Sequence, residues 1–110
     1  MAYDSDLADR IRLQLQNEGD VTEKRMFGGL AFLVGGNMAV AASGQGGIMV
    51  RVDPAETETL LGDPHVTRMV MRGKEMDGWI RVADEGLAED DELNRWVALG
   101  AAYAKTLPPK

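Results

Sequence analysis

The sequence predicts an α+β fold in which helices pack on a mostly antiparallel sheet of about five or six strands, in the order α, three or four strands, α, two strands, α. Three observations predict it. Amphipathic helical periods open and close the chain. Between them lie short apolar runs separated by paired glycines, the signature of hairpins. An Asp-Pro helix start, Asp53-Pro54, divides the strands near the middle.

The first helix is expected over residues 5–18. Leu7, Ile11 and Leu15 recur four apart with Ala8 beside them, forming one apolar stripe. Asp4 or Ser5 can cap it, Asp6 and Asp9 suit the positive end of the dipole, and Gly19 ends it. Leu13 falls off the stripe. Residues 21–27 begin with the alternation of a half-buried strand, and residues 30–34 are a continuous apolar run suited to a central strand. Gly35-Gly36 turns the chain into a strand over residues 37–42, and a glycine-rich turn over 43–47 leads to another over 48–52. Residues 21–52 therefore read as an antiparallel meander.

In the second half, Asp53 is a helix cap, Pro54 takes the first helical position, and Glu56 completes a capping box. Leu60-Leu61-Gly62 ends this short helix, and Asp63-Pro64 enforces the stop. Residues 66–71 and 79–82 read as two more strands, joined by residues 72–78 as a long hairpin loop. The last helix is expected over residues 89–106. Acids at 89–92 suit its N-terminus, and Leu93, Val97, Gly100 and Ala104 form its stripe. Trp96, Tyr103 and Leu107 widen that stripe, and Pro108-Pro109 stops the helix.

A chain of 110 residues fits one domain, expected to span residues 1–110. The absence of cysteine excludes disulfides, thiolate zinc sites and cysteine nucleophiles, and a lone histidine, His65, excludes histidine-rich metal sites. The net charge is −6 and the pI about 4.7. Residues 1–19 carry two bases and four acids, residues 20–82 seven and eight, and residues 83–110 three and six. The acidic excess thus lies at the two ends. An acidic balance argues against a duplex-binding domain, because phosphate neutralisation dominates such affinity. The N-terminus lacks the basic and apolar regions of a secretory signal, and no apolar run approaches the ~18 residues needed to span a bilayer. A cytoplasmic protein without a membrane partner is expected.

No catalytic constellation stands out. Gly28-Gly29 and Gly35-Gly36 suit a bulge and a hairpin turn better than a ligand loop. Gly44-Gln45-Gly46-Gly47 lacks the Lys-Ser/Thr of a phosphate-binding loop and joins two strands rather than opening a helix. Asp53, Glu56 and Asp63 are better explained by capping than by a cation. His65 has no nucleophile aligned with it by spacing, so no catalytic, metal or cofactor residue is expected. The candidate binding residues are Lys24, Arg25, Arg51, Arg68, Arg72 and Lys74, a basic set that falls mostly on strands, with Arg68 and Arg72 of one parity. Met76, expected in a loop, and Trp79 join them as apolar anchors. Methionine is adaptable and favoured on promiscuous binding surfaces, but Met26, Met38, Met49 and at least one of Met69 and Met71 are expected in the core, as is Trp96.

The segment Arg25-Met26-Phe27-Gly28-Gly29-Leu30-Ala31-Phe32, then Gly36-Asn37-Met38, then Met76-Asp77-Gly78-Trp79, closely resembles the N-terminal domain of the TfoX (Sxy) family, bacterial regulators of competence for DNA uptake. The resemblance runs from Tyr3 to Thr106-Leu107-Pro108-Pro109. It implies an α+β sandwich similar to secretion chaperones, with helices on an antiparallel sheet. Full TfoX proteins carry a second, C-terminal domain that looks like a helix-hairpin-helix module, and this chain looks like a stand-alone N-terminal domain. The resemblance also implies a coactivator that works through partner proteins rather than an enzyme.

The function expected is therefore a non-enzymatic regulatory domain that binds a protein partner or a second copy of itself, with homodimerisation through a strand edge. The alternative is nucleic-acid binding by the basic residues on the sheet, which the acidic pI disfavours.

Overall fold

The computed structural model describes residues 3–109 apart from Phe27, Gln45 and Arg72. Helix α1 (Ser5–Gln14) is followed by strands β1 (Val21–Met26), β2 (Gly29–Val34), β3 (Asn37–Ala42) and β4 (Ile48–Arg51). A 3₁₀ turn (Pro54–Glu56) runs into α2 (Thr57–Leu60), then come β5 (Val66–Met71), β6 (Lys74–Val82), a second 3₁₀ turn (Asp84–Leu87) and α3 (Asp90–Thr106). The six strands form one sheet in the order β1-β2-β3-β4-β6-β5, and every neighbouring pair is antiparallel. The α+β architecture expected from the sequence is the one observed.

The local signals act as their chemistry dictates. Asp4 caps α1, its carboxylate accepting the amides of Asp6 and Leu7 at 3.0 and 3.2 Å. The helix ends at Gln14 rather than near Glu18, because the next residues wind into tighter turns that redirect the chain toward β1 (Gln16 N–H to Leu13 C=O, Glu18 N–H to Leu15 C=O). Gly35 and Gly36 have φ of +62° and +82°, the pair of positive angles that a two-residue hairpin turn needs, and close the register Val34↔Asn37. Asp53 accepts the Ala55 amide at 2.9 Å with Pro54 in the first turn. The expected extension of β1 to Phe27 lies outside the described residues.

A second expectation fails as well. Residues 72–78 do not form a long loop: β6 begins at Lys74, and Met71↔Lys74 is already a strand pair, so the chain reverses between those two residues. Gly73, with φ of +75°, permits so short a turn. The irregularity is absorbed inside the strand, where the register shifts between Arg68↔Ile80 and Val70↔Glu75. The segment Lys74-Glu75-Met76-Asp77-Gly78 has no β-branched residue, so local propensity hides a strand held by backbone pairing with β5. Met76 consequently lies in a strand and is half-buried, not on a loop.

The main core fills the space between one face of the sheet and the helices. Phe32, Val40, Ile48, Val50, Ile80 and Val82 from the strands meet Ile11 of α1 and Leu93, Trp96 and Val97 of α3, all nearly or fully inaccessible. Leu13, off the stripe, is 63% exposed. At Gly100 of α3 a Cβ would come within 2.4 Å of the Ala39 carbonyl oxygen, so only glycine lets the helix approach β3 this closely. Ala39 is itself the residue that the β2–β3 register skips, between Phe32↔Val40 and Leu33↔Met38. Among the described residues no helix is long and apolar enough to cross a membrane.

Candidate interaction face of the sheet

A strand alternates its side chains between two faces, so the register sorts this sheet into a helix-covered side and a second side. On the second side one row runs Lys24–Ala31–Ala41–Met49–Arg81–Thr67 across all six strands. A neighbouring row brings together Leu33 and Met38, and beyond them Arg51 and Trp79. Ala31, Met38, Ala41, Met49 and Met69 form a second apolar cluster, with Leu33, Met76 and Trp79 half-buried against it. No helix residue joins that cluster. Alanines in the middle of the sheet leave space that the long, flexible methionines fill, which is how this face excludes water from its centre without a covering layer. The core positions expected for Met38, Met49 and Met69 are thus buried, but on this face. The side chains of Met26 and Met71 lie outside what the structure describes.

Three cations belong to the same face. The guanidinium of Arg51 lies 5.5 Å from the Trp79 ring and 5.9 Å from the Tyr103 ring of α3. It sits where β3 and β4 part, since their pairing ends at Val40↔Val50. Arg81 donates to the Ser43 hydroxyl at 3.0 Å and to the Gly46 carbonyl at 3.3 Å. Lys24 stands exposed on the edge strand. None of the three is in an ion pair with a described carboxylate; the ion pairs involve Arg10, Arg12, Arg68, Arg95 and Lys105 instead.

The other basic candidates do not assemble with them. Arg68 pairs in register with Ile80, which turns it to the helix side, where it is bound to Asp77, to Glu58 at 2.6 Å and to Glu75 at 3.6 Å. Arg25 pairs with Leu30 and so has the opposite parity to Lys24, while Lys74 shares the parity of Met76 but stands exposed at the β5–β6 turn, outside the two rows. Arg72 lies outside the described residues. Arg81 was not among the candidates read from the sequence; its parity with Trp79 in β6 is the signal that finds it.

The remaining polar features are structural. The Gly47 amide, in the glycine-rich turn, donates to Asp84 at 3.0 Å, so an acid already occupies the place a phosphate would need. His65 donates its backbone N–H to Asp63 and lines a cleft of about 340 Å³ with Thr67, Arg81, Asp84 and Glu85. Among the described residues no three His, Cys, Asp or Glu side chains are placed to hold a metal ion. The buried Thr57 hydroxyl accepts the Gly78 amide at 3.0 Å, anchoring α2 to β6. At the opposite end of the sheet, Arg12 of α1 donates to Glu23 of β1 at 2.6 and 2.8 Å. Those bonds hold the Glu23 carboxyl below its ordinary pKa and the Arg12 guanidinium above its own.

The family model of the TfoX N-terminal domain matches residues 13–104. No curated protein and no solved structure matches the chain.

Proposed function

The chain belongs to the TfoX N-terminal domain family, and from that premise we propose that it is a non-catalytic, cytoplasmic regulatory domain that acts by binding another protein. The observation that carries this reading is the methionine-rich face: an apolar cluster with half-buried Trp79 and Met76 at its surface and no helix over it. Such adaptable surfaces suit protein partners. Affinity capture from a lysate of the source organism, with and without nuclease, tests it. A specific protein that survives nuclease is the expected result. Capture that disappears with nuclease overturns it.

Two further readings have support of their own. Homodimerisation has two sheet edges available, β1 and β5. The β1 edge presents Glu23, Lys24 and Arg25, charges of the kind that guard an edge, so light scattering at high concentration should find a monomer unless β5 pairs. Nucleic-acid binding is favoured by the absence, among the described residues, of ion pairs at Lys24, Arg51 and Arg81. It predicts a mobility shift that weakens steeply with salt.

A further inference from the structure

We infer that the open face of the sheet docks an acidic amphipathic segment of a partner protein, its apolar side on Leu33, Met76 and Trp79 and its carboxylates on Lys24, Arg51 and Arg81. This inference rests on the protein-binding reading above and names the surface and the chemistry of what binds there.

Charge complementarity carries it. The chain as a whole has a net charge of −6. Yet the described positions of the two rows on this face hold three cations and no carboxylate: Thr22, Lys24, Ala31, Leu33, Met38, Ala41, Met49, Arg51, Thr67, Trp79 and Arg81. The nearest acids lie at the rim or on the other side, and Glu85 shares the cleft at Arg81. Glu75 and Asp77 are turned to Arg68 on the other side, and Asp84, at the rim beside Arg81, is held by the Gly47 amide. Among the described residues, acids are thus absent from the two rows themselves and stand only at their rim. A field of that sign selects an anionic partner and repels a cationic one.

The spacing gives the partner a size. Lys24 and Arg81 stand in one row on β1 and β6, four strand spacings apart, or about 19 Å. A helix of about 13 residues covers that distance. Three cations with methionines between them are too sparse to follow a phosphate backbone, and the one aromatic ring among the described residues of this face, Trp79, is already in contact with Arg51 rather than free for a base to stack on. A second copy docking by this same face would set cations against cations, with no carboxylate on either side to neutralise them.

The test is fluorescence anisotropy with a labelled helical peptide that carries leucines on one face and glutamates on the other. The controls are the same peptide with lysines for glutamates and a single-stranded DNA of matched charge. The glutamate peptide should bind, and Lys24→Glu and Arg81→Glu should each weaken it by about tenfold, while Lys105→Glu on α3 leaves it unchanged. Lys24 is exposed and makes no ion pair with a described carboxylate, so its variant stays interpretable if circular dichroism shows that Arg81→Glu unfolds. Equal binding of the lysine peptide, preferential binding of the DNA, no binding of the glutamate peptide, or indifference to both face variants overturns the assignment. Self-association that Lys24→Glu abolishes would also overturn it, by putting a second copy on this face. Capture with the Lys24→Glu protein separates the two levels. A partner retained in full by the variant removes the face and leaves the protein-binding reading, whereas no partner for either protein removes that reading.

Discussion

Arg51 joins the sheet to the last helix through two aromatic rings, Trp79 on β6 at 5.5 Å and Tyr103 on α3 at 5.9 Å. Arg51 and Trp79 are register partners on β4 and β6, so the contact ties that strand pair to α3. Arg51→Ala should lower stability by about 1 kcal/mol through lost cation–π attraction and packing of the side-chain stem. Urea unfolding measures the loss. Trp79 emission should shift in the folded variant, against a constant background from the buried Trp96. An unchanged spectrum would mean that the ring does not sense the guanidinium.

Gly100→Ala should cost about 1–3 kcal/mol, because the added methyl meets the Ala39 carbonyl and the helix must lift from β3. Helix propensity alone would make the same change stabilising, by up to about 1 kcal/mol. The sign of the measured change therefore decides between close approach and propensity.

Glu23 gives an acid limb to stability. Its carboxyl is held low in the fold, mainly by the hydrogen bond from Arg12, against about 4.3 in an unfolded chain. The contribution is present above the unfolded value and is lost as pH falls through the lowered folded one. Both side chains are more than a third exposed, so solvent screening limits it to no more than about 1 kcal/mol. Glu23→Gln should accordingly flatten the stability profile below about pH 4 and lower it at neutral pH. Parallel profiles for the two proteins would contradict this account.

Arg68 gathers Glu58, Glu75 and Asp77, and its own side chain is only 17% exposed. Arg68→Ala should leave those carboxylates facing one another and cost about 1–2 kcal/mol, an effect that shrinks as salt is added. Because Arg68 lies on the helix side, the same variant should bind a partner of the open face as the parent does, once compared at a temperature where both are folded.

Much of this architecture is legible from residue periods. The stripe of α1 predicts Leu7, Ile11 and Leu15 as buried and Leu13 as exposed, and each is so placed. The Gly35-Gly36 pair predicts the β2–β3 turn because that turn needs two positive φ angles. The first half of β6 is not legible: its residues are mostly polar and lack β-branching, and it is a strand because β5 supplies its backbone partners. The candidate site was legible in its residue types but not in its assembly. Arg68 and Arg81 look alike as strand arginines, yet the register between Arg68 and Ile80 places them on opposite faces.

By itself the sequence determined where helices, turns and most strands form, since caps, paired glycines and apolar periods act over a few residues. Only the tertiary structure decided which face the helices cover. That choice depends on long-range packing, with α1 and α3 meeting over one side and Gly100 fitting against Ala39. A period of two says that side chains alternate, but it carries no information about what lies above either side. The packing of α1 and α3 leaves Met76, Trp79, Arg51 and Arg81 together on the uncovered side.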